Sequence, residues 1–178
     1  MGIEDIVVAK IRNIKDYPKK GIVFRDITPL LKDPDAFSMC INHLSKEVEK
    51  LPDWKKINYL AAVEARGFIV GSALAYKMGI GLIPVRKPGK LPYEKESVKY
   101  RLEYSSGRLE MHKDALSKGD RVLIVDDLLA TGGTSLAARD LVQRLGGTVS
   151  GFAYLIELKG MEGRKNLSGY KVISLAKL

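Results

Sequence analysis

The chain is predicted to fold as an α/β protein with a mostly parallel, twisted sheet flanked by helices. Short apolar runs with strand character alternate with longer segments of helical periodicity, an order typical of βαβ units. The strongest of these units is Val122–Val125, a buried-strand pattern followed by two aspartates, a loop of Gly and Thr, and a helical segment to Leu145. A chain of 178 residues without repeats or low-complexity linkers suits one domain, so we expect a single domain over residues 1–178.

The N-terminal part is predicted to contain two helices separated by an extended segment. Apolar residues at near-helical intervals predict an amphipathic helix over residues 3–14, and the polar segment 16–21 ends it. Residues 22–27 form a short extended piece. Asp33 and Pro34 are typical of an N-cap and a first helical turn, and apolar steps of four and three predict a helix that continues to Leu51.

The middle of the chain is predicted to contain two strands joined by a helix. Tyr59–Val63 has the pattern of a buried strand, and residues 68–78 have that of a helix, which Gly79 ends. Residues 82–86 are predicted to form the next strand. Pro84 favours an early or edge position for it, because proline cannot donate to a strand ladder.

The remaining elements are a loop, a hairpin and two late strands. Residues 87–97 are polar, contain Pro and Gly, and are predicted to form a flexible lid loop. Residues 98–104 and 108–112 are predicted to pair as a β-hairpin with its turn at residues 105–107. The helix after the aspartates should close at Gly146 and Gly147. Two later strands are predicted at residues 152–156 and 170–175.

The loop that follows Asp126 and Asp127 is predicted to bind a phosphate. Open parallel sheets bind ligands at the carboxyl ends of their strands, and backbone N–H groups of such a loop, just before a helix, form an anion site. Two carboxylates beside this loop can accept hydrogen bonds from vicinal hydroxyls, so the pattern indicates a ribose 5-phosphate. The sequence contains neither the G-x-x-x-x-G-K-[ST] motif of P-loop NTPases nor the G-x-G-x-x-G dinucleotide fingerprint.

Composition excludes several other classes of protein. The net charge of +9 comes from 30 basic and 21 acidic residues that are scattered along the chain, so we expect no nucleic-acid partner. No apolar run is long enough to span a bilayer, so we expect no membrane partner. Cys40 is the single cysteine, which favours a cytoplasmic location, and the two widely separated histidines argue against a zinc site.

Four motifs resemble those of the adenine phosphoribosyltransferase family and together extend along nearly the whole chain. They are residues 21–31, 65–68, 86–92 and 126–134. Many phosphoribosyltransferases share the last motif, whereas the first, together with residues 102–104, is similar to enzymes that act on adenine. The resemblance implies the single-domain type I phosphoribosyltransferase fold. It also implies transfer of the phosphoribosyl group of phosphoribosyl pyrophosphate to N9 of adenine, with AMP and pyrophosphate as products, by a homodimer.

The resemblance also implies roles for particular residues. The catalytic residues would be Glu103, Asp126 and Asp127. The residues that bind phosphoribosyl pyrophosphate would be Arg66, Arg86, Lys90, Asp126, Asp127, Ala130, Thr131, Gly132, Gly133 and Thr134. Those that bind adenine would be Val23, Phe24, Arg25 and Leu128. The implied cofactor is Mg²⁺, held mainly by substrate oxygens and water without protein ligands.

Three finer features follow from the same resemblance. Glu103 would act as an acid–base residue near the purine. The main-chain groups of Val23 and Arg25 would select the base, while Phe24 and Leu128 enclose its ring. A cis peptide bond is implied before Arg66, between residues 64 and 65.

Other interpretations remain open from the residues themselves. Arg66 could form a surface ion pair, Lys90 could be a solvated loop lysine, and Phe24 could belong to the core. The alternation of apolar residues around Glu103 also fits a solvated strand face. The alternative functions are a phosphoribosyltransferase for hypoxanthine or guanine and, in another class, a ligand-sensing module of the same fold without catalysis.

Overall fold

The computed structural model of the protein describes residues 2–102 and 105–178. The N-terminal elements are α1 (Ile3–Ala9), β1 (Arg12–Lys15), β2 (Val23–Asp26), α2 (Thr28–Lys32) and α3 (Pro34–Glu49), followed by a 3-10 turn at Trp54–Lys56. The central elements are β3 (Tyr59–Val63), α4 (Arg66–Met78), β4 (Gly81–Val85), β5 (Lys95–Leu102) and β6 (Ser105–His112). The C-terminal elements are β7 (Arg121–Val125), β8 (Leu128–Leu129), α5 (Gly133–Arg144), β9 (Thr148–Glu157), α6 (Gly163–Asn166) and β10 (Val172–Lys177).

A parallel sheet in the order β10-β9-β7-β3-β4 forms the centre of the fold, and the short β8 pairs with β9. Its strands bury side chains on both faces, as parallel strands covered by helices do. Leu60 and Leu123 pack on the face that is covered by α1, α3 and α4, whereas Ala61 and Ile124 pack on the face that is covered by α5. The predicted mixed α/β fold with a mostly parallel sheet is confirmed.

The order of the strands creates a crevice between β3 and β7. From β3 the chain passes through α4 to β4 on one side, and from β7 it passes through α5 to β9 on the other side. Neighbouring strands whose connections leave in opposite directions form a topological switch point, where α/β sheets bind ligands at their carboxyl ends. Residues that follow Val63 and Val125 therefore meet at this crevice.

Several local predictions are confirmed. The predicted strand Tyr59–Val63 is observed with the same bounds, and β4 with its Pro84 is an edge strand of the sheet. The Asp33 side chain accepts a hydrogen bond of 3.0 Å from the backbone N–H of Ala36, so it caps α3 as expected. Gly79 adopts a left-handed conformation at φ 66° and ends α4. No helix in the described part of the chain is long and apolar enough to cross a membrane.

The predicted N-terminal helix is too long. Helix α1 ends at Ala9, and residues 12–15 form β1, which pairs antiparallel with β2. Ile11 and Ile14 follow a helical interval in the sequence, but β-branched residues also suit a strand. Pairing with β2, which is a tertiary contact, decides between the two.

The hairpin is confirmed, but residues 105–107, which were predicted to form its turn, belong to strand β6. Ser105 pairs with Leu102, and Gly107 lies within β6 opposite Tyr100. A Cβ atom on Gly107 would lie 2.4 Å from the Tyr100 ring, so this glycine lets the ring lie across the strand and does not form a turn. Residues 95–97, which were expected in the lid loop, belong to β5, so the irregular part of that loop ends at Glu94.

Candidate active site

Helix α4 approaches the end of β7 closely because it carries a glycine at the point of contact. A Cβ atom on Gly67 would lie 2.8 Å from Oδ1 of Asp126 and 3.1 Å from the carbonyl oxygen of Val125. Any larger residue would push the helix away from the strand. The first turn of α4, which begins at Arg66, is thereby placed against the acidic pair.

The two aspartates form a tightly packed pair at the end of β7. The backbone N–H of Asp127 donates to Oδ1 of Asp126 at 2.9 Å. Asp127 is only 3% exposed. Asp126 keeps some exposed surface as a residue, but its carboxylate is enclosed by protein. Burial raises the pKa of Asp126 well above its usual value, and the charge of Asp127 adds to this. Burial also raises the pKa of Asp127, which the Arg66 charge partly offsets.

Arg66 connects the acidic pair to β2. Its Nε atom lies 3.0 Å from Oδ2 of Asp127, its Nη1 atom donates to the carbonyl of Arg25 at 3.0 Å, and its guanidinium carbon lies 5.0 Å from the centre of the Phe24 ring. The N–H of Nε does not point at the Asp127 oxygen, and no described residue donates a hydrogen bond to that oxygen. This oxygen is thus buried and paired with Arg66 by charge, without a hydrogen bond from the described residues.

Two cavities meet at the acidic pair. The central cavity, of about 380 Å³, is lined by Phe24, Glu64, Ala65, Arg66, Lys87, Tyr100, Leu109, Asp126, Asp127 and Thr134. The loop cavity, of about 210 Å³, is lined by Arg66, Asp126, Asp127, Leu128, Ala130, Thr131, Gly132, Gly133, Thr134 and Ser135. Because Arg66, both aspartates and Thr134 line both cavities, one ligand could extend from one cavity into the other.

The loop cavity lies at the N-terminus of α5. Gly132 adopts a left-handed conformation at φ 84°, and its carbonyl accepts the first hydrogen bond of the helix, from the N–H of Leu136 at 2.9 Å. The N–H groups in the first turn of a helix have no partner within the helix, and the helix dipole favours an anion there. The twelve-residue helix α5 therefore offers backbone donors to a phosphate.

Strand β2 presents backbone groups on the side that faces α4. The carbonyl of Arg25 accepts from Arg66 on α4, so the Arg25 backbone points away from β1. Residues two apart in a strand direct their N–H and C=O groups to the same side. The carbonyl of Val23 and the N–H of Arg25 therefore point toward the same side as Arg66, and the intervening Phe24 directs its backbone groups to β1.

Comparison with known proteins identifies the family of the chain. Residues 30–176 match the phosphoribosyl transferase domain. The adenine phosphoribosyltransferase of Thermoanaerobacter sp. (strain X514) is 54% identical over 177 residues, which cover 99% of each chain. This chain belongs to the adenine phosphoribosyltransferase family. It is thus an enzyme of the pentosyltransferase class.

Solved structures of the family have the same fold. The crystal structure of adenine phosphoribosyltransferase from Thermoanaerobacter pseudethanolicus matches with a TM-score of 0.93 at 52% identity, covering 99% of each chain. That of the Saccharomyces cerevisiae enzyme, complexed with an imino-altritol bisphosphate and adenine, matches with a TM-score of 0.87 at 34% identity, covering 97% of this chain and 98% of the other.

The crevice contains many of the residues to which the family resemblance assigns roles. Phe24, Arg66, Asp126, Asp127 and Thr134 line the central cavity, and the loop from Ala130 to Thr134 lines the loop cavity. The peptide bond between Glu64 and Ala65 is cis, as the resemblance implies. Leu128 lines the loop cavity, where it packs against the core, and is not among the described residues that line the central cavity with Phe24.

Not every residue with an expected role lines one of the two cavities: Val23 and Arg25 lie beside Phe24 but are not among the described lining residues. Nε of Arg86 lies 3.2 Å from Oε2 of Glu64, and its Nη1 donates to the carbonyl of Lys90 at 3.3 Å. In the described structure neither Arg86 nor Lys90 lines the central or the loop cavity. Glu103, for which an acid–base role is expected, lies outside the described residues.

Sequence reasoning missed several residues that line the central cavity of this family member. Lys87 brings a positive charge to the cavity, next to the predicted Arg86. Glu64 accepts hydrogen bonds from the Lys87 N–H at 2.9 Å and from Arg86. Burial alone would raise the pKa of Glu64, but these hydrogen bonds have the larger combined effect. The pKa of Glu64 is therefore lowered. Tyr100 could have been suspected, because β-strand alternation places it on the same face as Val98, which is buried.

The site has the polarity that a phosphoribosyl substrate requires. Arg66 and Lys87 carry positive charge in the central cavity, the aspartates carry hydroxyl acceptors at its base, and α5 presents backbone donors in the loop cavity. Among the described residues, no three His, Cys, Asp or Glu side chains are grouped so as to hold a metal ion on their own. The two aspartates are the acidic residues among those that line the loop cavity, and they could contribute a ligand to a cation that substrate and water mainly hold.

Proposed function

We propose that this chain transfers the 5-phosphoribosyl group from phosphoribosyl pyrophosphate to adenine, giving AMP and pyrophosphate in purine salvage. The observation that carries the proposal is the meeting of two cavities at one acidic pair. A phosphate bound at α5 places the attached ribose over Asp126 and Asp127, and its C1 atom then faces the central cavity. One crevice of the family fold therefore accommodates the sugar phosphate and the base side by side.

The acidic pair binds the ribose and stabilises the transition state. In the reaction the bond from C1 of the ribose to the pyrophosphate oxygen breaks, and a bond from C1 to N9 of adenine forms. Positive charge develops on the sugar ring as the pyrophosphate departs. Asp126 and Asp127 accept hydrogen bonds from the two ribose hydroxyls, and their negative charge stabilises that ring. The place of both aspartates in the lining of both cavities supports this role.

Positive charge on the opposite side accepts the pyrophosphate. Arg66 and Lys87 line the central cavity and are positioned for this role. Arg86 and Lys90 join them when the loop of residues 87–94 closes over the site as a lid. The Glu64 carboxylate, which accepts from the Lys87 N–H and from Arg86, holds the beginning of this loop next to the cis peptide of the crevice. Closure excludes water from the reactive sugar.

Adenine is selected by the backbone of β2. The Val23 carbonyl accepts from the exocyclic amine, and the Arg25 N–H donates to N1 of the base. Phe24 packs on one face of the ring, and Leu128 at the entrance of the loop approaches the other. Glu103 serves as the acid–base residue for the N9 proton. The shared direction of the Val23 and Arg25 backbone groups toward the site supports this arrangement.

The cofactor in this proposal is Mg²⁺, and the donor set fits it. Mg²⁺ keeps most of its waters and binds phosphate oxygens together with one or two carboxylates, so it needs no dedicated protein cage. When bound, it neutralises charge on the pyrophosphate. Asp126 and Asp127 are the residues of this chain that would approach it, directly or through water.

We also assign the chain to the cytoplasm and to a homodimer of single-domain subunits, residues 1–178. Burial raises the pKa of the single Cys40 thiol to about 11, so the thiol is unreactive. A buried free thiol of this kind is consistent with a reducing compartment.

The proposed homodimer would form through β4 and α4. The edge strand β4 and the helix α4 expose Leu82, Ile69 and the 92% exposed Tyr76, which a second copy would cover. Sedimentation at increasing concentration measures the association, and a Tyr76→Lys variant should weaken it.

The decisive experiment is incubation with phosphoribosyl pyrophosphate, Mg²⁺ and each purine in turn, with nucleotide and pyrophosphate as readouts. Adenine should be converted to AMP in a one-to-one ratio with pyrophosphate, and an Asp126→Asn variant should be the inactive control. Faster conversion of hypoxanthine or guanine would assign another base. Tight binding of a purine nucleotide without turnover of any base would favour the sensing module.

A further inference from the structure

Helix α6, to which no role has been assigned so far, packs directly against the loop that lines the loop cavity. A Cβ atom on Gly163 would lie 2.1 Å from the carbonyl oxygen of Ala130, and one on Gly132 would lie 3.2 Å from the carbonyl oxygen of Gly163. The two segments are therefore in backbone contact, and glycine on each side makes that contact possible. Movement of α6 would move the loop.

An ion pair between the exposed Arg164 and the buried carboxylate of Glu157 anchors α6 to the sheet. Arg164 donates from Nε and Nη2 to the two carboxylate oxygens of Glu157, at 2.9 and 2.5 Å, and from Nη1 to the carbonyl of Val172 at 2.9 Å. The hydroxyl of Ser174 donates to Glu157 at 2.8 Å. Two-point binding of a planar guanidinium fixes direction as well as distance. Helix α6 is thus held to the ends of β9 and β10.

From this anchored helix, Asn166 reaches the loop itself. Its side-chain amide Nδ2 donates to the carbonyl of Thr131 at 2.9 Å. The peptide bond between Thr131 and Gly132 is trans, so the N–H of Gly132 points opposite to that carbonyl. Both residues line the loop cavity. Holding the carbonyl on the α6 side leaves the Gly132 N–H directed toward the cavity.

We propose that Asn166 is a positioning residue for the 5-phosphate: it fixes the Thr131–Gly132 peptide so that the Gly132 N–H is oriented to donate to the phosphate before substrate binds. Gly132 has left-handed φ, a region where a peptide plane can flip at little cost when nothing holds it. Because the peptide plane is already fixed, substrate binding does not lose the conformational entropy of ordering it. This inference rests on the proposed function, because it assumes that the loop cavity holds a phosphate.

The test compares Asn166→Ala and Asn166→Asp with a control on the same helix, Lys165→Ala. Lys165 lies next to Asn166 and is exposed, and its Nζ atom donates to Oε2 of Glu162 at 3.1 Å instead of to the loop. The measurements are KM for phosphoribosyl pyrophosphate, KM for adenine, the dissociation constant for AMP, and Tm. We expect Asn166→Ala to raise the AMP dissociation constant and the KM for phosphoribosyl pyrophosphate about tenfold, the size of one lost hydrogen bond of about 1.4 kcal/mol. The KM for adenine and Tm should change little.

Asn166→Asp should be worse than Asn166→Ala, because it replaces the donor by a negative charge near the phosphate, and added salt should reduce the difference. Equal affinity of wild type and Asn166→Ala for AMP would overturn the inference and leave the proposed function intact. Equal losses for both substrates together with a lower Tm would also overturn it, since they indicate a merely structural role. Failure of the wild type to bind AMP would overturn the proposed function, and the inference with it.

Discussion

The adjacent aspartates at the end of β7 are costly for folding, and the proposed function gives them a role in catalysis. Burial is the main cause that raises the pKa of both carboxyl groups, and for Asp126 the neighbouring charge adds to it. A carboxyl group whose pKa is higher in the folded than in the unfolded state destabilises the fold when it is ionised. That cost is present above the raised folded pKa and disappears below the ordinary value of 3.8.

We therefore predict that Asp126→Asn makes the unliganded protein more stable while it lowers kcat by about 10² or more, because a ribose acceptor and a stabilising charge are lost. The amide retains an oxygen that can accept from the Asp127 N–H. Thermal unfolding should show a Tm higher by a few degrees at neutral pH, with the gain shrinking as the pH falls through the range of the raised pKa. A variant that is less stable than wild type at neutral pH would contradict this account.

Base selection at β2 provides a second test at the level of residues. If backbone groups select adenine, Arg25→Ala should keep the ratio of kcat/KM for adenine over hypoxanthine, even if activity falls. Phe24→Ala should raise the KM for adenine, because packing area on the ring is lost, without inverting the preference. Loss of two matched hydrogen bonds in a dry pocket gives discrimination on the order of 10⁴. Collapse of the ratio in Arg25→Ala alone would show that a side chain selects the base.

At the scale of elements, the approach of α4 to the sheet allows a matched pair of substitutions. Gly67 and Gly71 lie on the same helix, and a Cβ atom on either would be too close to the sheet: 2.8 Å from Asp126 Oδ1 for the first and 2.6 Å from Ala62 Cβ for the second. Overpacking of this kind typically costs about 1–3 kcal/mol. Both alanine variants should thus lower the free energy of unfolding.

Only Gly67→Ala should also impair the site, because its added methyl group displaces the Asp126 carboxylate and the first turn of α4, where Arg66 is located. We expect a raised KM for phosphoribosyl pyrophosphate in Gly67→Ala and a nearly normal KM in Gly71→Ala. Steady-state kinetics together with denaturant unfolding of both variants measures this. Similar kinetic defects in the two would mean that stability, and not the local approach, governs the site.

The loop between β4 and β5 is the second element that can be tested. Deleting its tip, residues 88–93, removes Lys90 and leaves the Glu64 contacts of Arg86 and of the Lys87 N–H in place. If the loop closes over the site, transfer to adenine should fall and hydrolysis of phosphoribosyl pyrophosphate should rise, since water then reaches the sugar. The two products, AMP and ribose 5-phosphate, are measured in one assay. Unchanged rates of both would exclude a lid.

For the molecule as a whole, the sequence predicted the features that depend on neighbouring residues. It did not predict the features that depend on contacts between separate segments of the chain. Strand β3, the cap of α3 by Asp33 and the edge position of Pro84 depend on local pattern and backbone chemistry, and these predictions are confirmed. Strand β1 depends on pairing with β2, and the strand position of Gly107 depends on the Tyr100 ring. Neither contact is visible in a local pattern.

The site divides in the same way. The aspartates and the loop that follows them are contiguous in sequence, and the resemblance to a known family placed Arg66 and Phe24 beside them. The pairing of Arg86 with Glu64 and the contact of Asn166 with Thr131 join residues 22 and 35 positions apart. Composition and periodicity carry no information on such pairs, and only the folded chain brings them together.

The net charge of the molecule leads to the last prediction. The chain carries a formal charge of +9, and Arg66 and Lys87 place part of it in the central cavity. Phosphoribosyl pyrophosphate is strongly anionic, whereas adenine is neutral at neutral pH. Because salt shortens the Debye length to about 8 Å at physiological ionic strength, the attraction between protein and anionic substrate should weaken as salt is added.

We therefore expect the KM for phosphoribosyl pyrophosphate to rise with potassium chloride concentration while the KM for adenine stays nearly constant. Lys87→Ala should reduce this salt dependence, because the lost charge lies within the cavity. Lys77→Ala, which removes an exposed charge near the far end of α4, is the matched control and should change it much less. Parallel salt series on the three proteins measure both constants. Equal salt dependence for the two substrates would show that the positive charge of the chain does not act on substrate binding.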